Sequence, residues 1–184
     1  MGLLDLVILS ISLGSDATAV SICKGMSLYK IDLKQVVIIS LYFGFFQSLM
    51  PVIGYLFGNS FSTAISSVSY YIAFILLSLI GVNLIIDSFK VDKIDGRVDF
   101  KAMFPLAIAT SIDALTVGIT FSFLKVDIIL AIILIGIITF ILSFFGTILG
   151  SIFNNKHGQK AKLLGGIVLI IIGTKILLEH LKII

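Results

Sequence analysis

Six apolar runs, each close to the length needed to cross a bilayer, leave this chain very few ways to fold. They cover roughly 3–23, 36–57, 69–89, 103–124, 128–153 and 163–181. A helix needs about 20 residues to span the hydrocarbon core, and only helices or closed barrels satisfy their backbone polar groups there. Runs of this length without strand-like alternation predict an all-α integral membrane protein with six transmembrane helices. Charged residues make up 12% of the chain against about 25% in soluble domains, which fits the same class. The first run lacks a basic leader and exceeds a typical signal core, so it is expected to stay as a helix. Nothing in the runs or between them has the size of a soluble catalytic domain, and an enzyme is not expected. The single cysteine, Cys23, excludes an internal disulfide or a dithiol relay.

The basic residues give the orientation. Connections after the first, third and fifth runs hold Lys24, Lys30, Lys34, Lys90, Lys93, Arg97, Lys101, Lys156, Lys160 and Lys162, whereas the other side holds Lys125 and Lys182. By the positive-inside rule both termini are expected outside the cytoplasm. Topology accounts for these charges, so nucleic acid is not an expected partner.

Two aspartates stand out against the apolar background. Leu9-Ser-Ile-Ser-Leu-Gly-Ser-Asp16-Ala-Thr-Ala-Val-Ser-Ile22 and Leu106-Ala-Ile-Ala-Thr-Ser-Ile-Asp113-Ala-Leu-Thr-Val-Gly-Ile119 are identical at six of fourteen paired positions. The likeness continues in Ile80-Gly81 through Asp87 and Lys90, matched by Ile172-Gly173 through Glu179 and Lys182. It extends more weakly to Ile53-Gly54 and Leu149-Gly150. Three helices followed by three related ones put the second set into the membrane from the opposite side. That is an inverted-topology repeat, whose sites lie at the repeat interface near the midplane. The expected units are 1–89 and 103–184, joined by a mixed-charge cytoplasmic linker at 90–102.

A carboxylate at membrane depth costs about 2.5–3.5 kcal/mol on insertion scales, so two repeat-related ones point to a task. If their helices cross at the axis, the acids approach each other, which needs a cation or a shared proton between them. Ser12, Ser15, Thr110 and Ser111 lie nearby, and Gln47 shares a helix face with Gly44, Pro51 and Gly54. Oxygen donors without thiolate or imidazole suit hard divalent ions. Each hydroxyl has the competing role of bonding back to its own helix. Gln47 has the competing role of an interhelical hydrogen bond, and Pro51 is a kink or an oxygen donor. Asp87 and Glu179 form a second acidic pair nearer the surfaces, with Asn83 and Lys175 at matching positions. These four are candidates for an ion path or gate, and acids at helix ends also snorkel.

The motifs around Asp16 and Asp113, with Phe43-Gly-Phe-Phe-Gln-Ser-Leu-Met-Pro-Val-Ile-Gly54 and the Gly165-Gly166 step, resemble those of the MntP family of bacterial manganese efflux pumps. The resemblance covers nearly the whole chain. It implies a Mn²⁺ exporter of the bacterial plasma membrane, with Asp16 and Asp113 at the positions of the family's intramembrane aspartates. Some members carry an acid where this chain has Gln47. Mn²⁺ would be the cargo and no resident cofactor is implied; because the membrane potential opposes export of a divalent ion, coupling to H⁺ antiport or to another ion gradient is expected. No Walker A motif offers ATP coupling. Alternatives from the residues alone are an exporter of basic amino acids, a non-transporting membrane assembly partner, and an intramembrane aspartyl protease. The last lacks a Gly-x-Gly-Asp signature, since the chain reads Leu-Gly-Ser-Asp16.

Overall fold

The structure, a computed structural model, describes residues 2–28, 32–89, 98–123, 126–157 and 159–181, and the side chains of 58–70, Asn83, Asp87 and Glu179 are among those outside the description. Helices account for nearly all of it: α1 Leu3–Ser27, α2 Leu33–Phe89, α3 Phe100–Thr110, α4 Ile112–Phe123, α5 Ile128–His157 and α6 Gln159–His180. Among the described residues Leu3–Ser27, Leu33–Phe57 and Ile128–Phe153 are long and apolar enough to cross a membrane. Phe100–Thr110 with Ile112–Ser122 makes a fourth if the pair, bent by 46°, is one span. Leu163–Lys175 is apolar but shorter. The molecule is thus an all-α, multi-pass membrane protein.

Two element boundaries differ from the sequence reading. The second and third apolar runs belong to one continuous helix, α2, of 57 residues. Residues 58–63 read Gly-Asn-Ser-Phe-Ser-Thr, a cluster that favours a loop but holds no proline to break a helix. A straight helix would put Phe43 and Leu77 about 51 Å apart. Gly54, between them, meets Leu115, while Leu77 lines a cavity with Asp113, two residues from Leu115, so α2 does not run straight between them.

The fourth run is broken instead of continuous. Thr110 donates to the carbonyls of Leu106 (3.1 Å) and Ala107 (3.2 Å), and Ser111 donates to Ala107 at 2.5 Å. The Ser111 N–H bonds to Ile108, three residues back instead of four, and its φ and ψ are −105° and 8°. Paired hydroxyls bonding back in this way bend helices. The helix restarts with Leu115 N–H donating to the Ser111 carbonyl at 3.2 Å. At its other end α3 begins at Phe100, capped by Asp99, whose carboxylate accepts from Ala102 N–H at 3.0 Å.

Glycines set how closely the helices meet. A methyl on Gly54 would strike the Leu115 carbonyl, and one on Gly118 the Pro51 carbonyl, so α2 and α4 touch backbone to backbone. α1 and α5 do the same through Gly25 at Thr147 and Gly150 at Ile22. Without a hydrophobic drive between helices in lipid, close backbone approach supplies the contact energy.

The order of contacts gives direction. Gly14, Thr18 and Ile22 meet α5 at Thr139, Gly146 and Gly150 in turn, so α1 and α5 run parallel. Gly44 meets Gly136 and Phe140, while Ser48 meets Gly136 and Ile132, so α2 and α5 run antiparallel. The later part of α2 is antiparallel to α6, with Gly81 at Gly166 and Gly173 at Phe74 and Leu77. Where α2 crosses α5, an apolar groove of about 430 Å³ is lined by Leu41, Gly44, Phe45 and Ser48 from one helix. Ile133, Gly136, Ile137 and Phe140 line it from the other.

Candidate metal-ion site

Asp16 and Asp113 reach one cavity from different helices. It is enclosed by Asp16 of α1, Ala109 and Thr110 of α3, Ile112 and Asp113 of α4, Leu77 of α2 and Ile172 of α6. Its volume is about 10 Å³, close to what one water-sized sphere occupies. An alanine follows each aspartate. Ala17, next to Asp16, is fully buried with Ala107 and Ala109, and Ala114, next to Asp113, is fully buried with Leu13. These small buried neighbours leave both aspartates lining the same space. Asp113 also lies in the first turn of α4, where the helix dipole favours negative charge. Two carboxylates and the Thr110 hydroxyl in an otherwise apolar cavity suit a single hard cation stripped of most of its water.

The break at Ser111 is what gives Asp113 its place at a helix start. Pro105 and the back-bonded Thr110 and Ser111 weaken the ladder just before it. Around Asp16 the same motif stays helical. There Gln47, fully buried, donates Nε2 to the Leu13 carbonyl at 2.9 Å. Its interhelical role is therefore realised, while its Oε1 is buried without a hydrogen-bond partner.

Other expected ligands are not brought to the cavity. Ser12 and Ser15 are exposed, and Ser15 Oγ donates to the Ile11 carbonyl at 2.9 Å. The buried stripe of α1 centres on Leu13 and Ala17, which puts Asp16 at its edge and Ser12 and Ser15 beyond it. Ser111 is buried and donates its hydroxyl to α3 as Thr110 does, but unlike Thr110 it does not line the cavity. Lys175 is exposed on α6 and does not line the cavity. The side chains of Asn83, Asp87 and Glu179 lie outside the described residues. No group of three or more His, Cys, Asp or Glu occurs among the described residues, so the carboxylate pair is the charged part of the site.

Sequence reasoning passed over Thr139 and Ser143 of α5. Both are fully buried with unpartnered hydroxyls, each costing about 1–3 kcal/mol. Their four-residue spacing, continued by Thr147 and Ser151, is the signal that marks them. Exchanging Ser12 or Ser15 for alanine removes no contact with the cavity, and transport and stability should stay within about 0.5 kcal/mol of wild type. A measurable drop in ion binding for Ser15→Ala would return that residue to the site.

Comparison with known proteins gives the family of the chain. The family model described as "Putative manganese efflux pump" matches residues 30–177. The "Putative manganese efflux pump MntP" of Campylobacter jejuni is 53% identical over 184 residues, covering 98% of each chain. Its namesake in Desulfitobacterium hafniense is 48% identical over 182 residues, covering 98% of this chain and 97% of its own. The Acetivibrio thermocellus protein of that name is 46% identical over 187 residues, covering 100% and 94%. These relatives are described as pumps, not as enzymes, and no solved structure matches the chain. A likeness of this depth, held end to end across the helices that carry both aspartates, makes the chain a member of the MntP family.

Proposed function

We propose that the protein exports Mn²⁺ across the bacterial plasma membrane as a secondary transporter, with Asp16 and Asp113 holding the ion at the interface of two inverted halves. The observation that carries this reading is the single closed cavity to which both motif aspartates contribute from α1 and α4. The relatives' printed names supply the metal.

The six-span, inverted-repeat plan is supported by helix direction. Alternating spans require the first and fifth to be parallel, the second and fifth antiparallel, and the third and sixth antiparallel, as the glycine contacts have it. Corresponding contacts recur as well. Gly54 meets Leu115 and Gly146 meets Thr18, and Thr18 and Leu115 are paired positions of the aspartate motif. Gly81 meets Gly166 and Gly173 meets Phe74. Differences of 136 less 44, 146 less 54, 173 less 81 and 166 less 74 all give 92. Both termini then lie outside, and 90–102 links the halves on the cytoplasmic side.

A cavity with room for one small sphere suits an occluded ion, and alternating access follows from a site that opens to one side at a time. The membrane potential opposes exit of a cation by about 2.3 kcal/mol per charge per 100 mV, about twice that for a divalent ion. Export therefore needs a counter-flow, and two carboxylates emptied of metal can carry protons back. Protein reconstituted in liposomes should move Mn²⁺ faster when an imposed pH gradient drives protons the opposite way. Transport indifferent to that gradient would remove the proton from the scheme. No Mn²⁺ movement under any gradient would remove the function.

A further inference from the structure

Thr139, Ser143, Thr147 and Ser151 stand four apart on α5, and all are buried. That spacing keeps them on one helix face, and the face meets α1. Thr139 Oγ1 would lie 3.3 Å from a methyl on Gly14, while Gly25 sits against the backbone of Thr147 and Ser151. The stripe therefore follows about 18 Å of helix, from the turn before Asp16 to the end of α1 that carries Lys24.

Close packing explains small residues here but not hydroxyls, since alanine packs as tightly. Two of the four are satisfied within α5, Thr147 donating to the Ser143 carbonyl at 2.9 Å and Ser151 to that of Ile148 at 2.7 Å. Thr139 and Ser143 are fully buried with hydroxyls that have no partner. Gln47 Oε1 is also without one, and its amide nitrogen is held at Leu13, beside Gly14. Unmatched oxygens thus gather where the stripe reaches the level of the aspartate motif. The positions 92 residues earlier on α2 are Gln47, Pro51, Tyr55 and Asn59, so the other half carries no Ser or Thr stripe.

We propose that the α1–α5 seam, closed here by backbone contact, parts to become a hydrated half-path that brings the divalent cation from the cytoplasmic face to Asp16 and Asp113. Gln47, Thr139 and Ser143 act along it as neutral oxygen ligands that replace part of the ion's water. Neutral oxygens suit a hard cation in transit because they bind it weakly enough to pass it on to the carboxylates. The inference rests on the transport reading above and adds the side and the route of approach.

Single-cysteine variants test it. In a Cys23→Ser background, Ser143→Cys and the lipid-facing Ile141→Cys (45% exposed) are treated with a membrane-impermeant thiosulfonate in inside-out vesicles. Ser143→Cys should react about ten-fold faster than Ile141→Cys, because water access supplies the thiolate that apolar burial suppresses, and Mn²⁺ should slow it. Reaction no faster than at Ile141→Cys, in vesicles that take up Mn²⁺, would overturn the seam. Reaction in vesicles that never take up Mn²⁺ would uphold the seam and overturn the manganese reading. A second pair guards against misfolding. Thr139→Val and Ser143→Ala delete groups that have no partner, which folding tolerates. Each should slow Mn²⁺ uptake about ten-fold, a barrier increase of about 1.4 kcal/mol, with Mn²⁺ affinity in a binding titration unchanged. Wild-type uptake rates in both would also overturn the proposal.

Discussion

Asp113→Asn should abolish manganese resistance in a manganese-sensitive host, with a loss of Mn²⁺ binding of tens- to thousand-fold in a titration of the purified protein. Asparagine keeps the size of the side chain and one oxygen but removes half the negative charge from a cavity whose other polar liner is Thr110. Removing one partner of a buried charged contact costs about 2–5 kcal/mol, and each 1.4 kcal/mol is tenfold in affinity. Asp16→Asn should behave alike, and Ser15→Ala, made in parallel, should not. If Asp113→Asn protected the host as well as the wild type, the carboxylate pair would be structural and the transport site would lie elsewhere.

The second large effect falls on the scaffold. Gly118→Ala places a methyl on the Pro51 backbone, where both a carbonyl and a Cα are in the way. No side-chain rotation relieves that contact, so α2 and α4 must separate. Overpacking of this kind costs about 1–3 kcal/mol or more, and at this chain length each kcal/mol lowers Tm by about 2–4 °C. A detergent melt should therefore fall by about 5–10 °C. Export should fall with it, because Gly118 is five residues beyond Asp113 on the same helix and Pro51 four beyond Gln47. Gly173→Ala is the comparison, since its nearest neighbour is the Leu77 Cβ at 3.1 Å, and it should lose less. Equal melts for the two would mean that the α2–α4 contact adapts.

Much of this was legible before any coordinates. Long apolar runs carry their own length scale, and a charged residue inside one is conspicuous, so the helical membrane class and the aspartate pair could be read directly. The continuity of α2 could not, because Gly58-Asn59-Ser60 followed by Ser62-Thr63 reads as a loop between two membrane-length runs. The break at Ser111 was hidden for the opposite reason. Thr110 and Ser111 look like ordinary helix hydroxyls until their bonds to Leu106, Ala107 and Ile108 are seen. The exposure of Ser12 and Ser15 could not be read either, because nearness along a helix does not fix which residues the neighbours cover. The match of Ile53-Gly54 to Leu149-Gly150 is offset by 96 residues, whereas the contacts favour 92. A slip of four returns to nearly the same helix face, so a two-residue likeness cannot separate the two registers.

The groove between α2 and α5 has a mechanical meaning. Its lining falls into the pairs Leu41 and Ile133, Gly44 and Gly136, Phe45 and Ile137, and Ser48 and Phe140, every pair at the common spacing. A contact between paired positions maps onto itself when the halves trade shapes, whereas Gly54 at Leu115 maps onto Gly146 at Thr18. On the proposed plan, contacts of the second kind are exchanged in each cycle and that of Gly44 with Gly136 is not. It would be a fulcrum of the machine, a place where the two halves can be tied together by a cross-link without stopping the stroke.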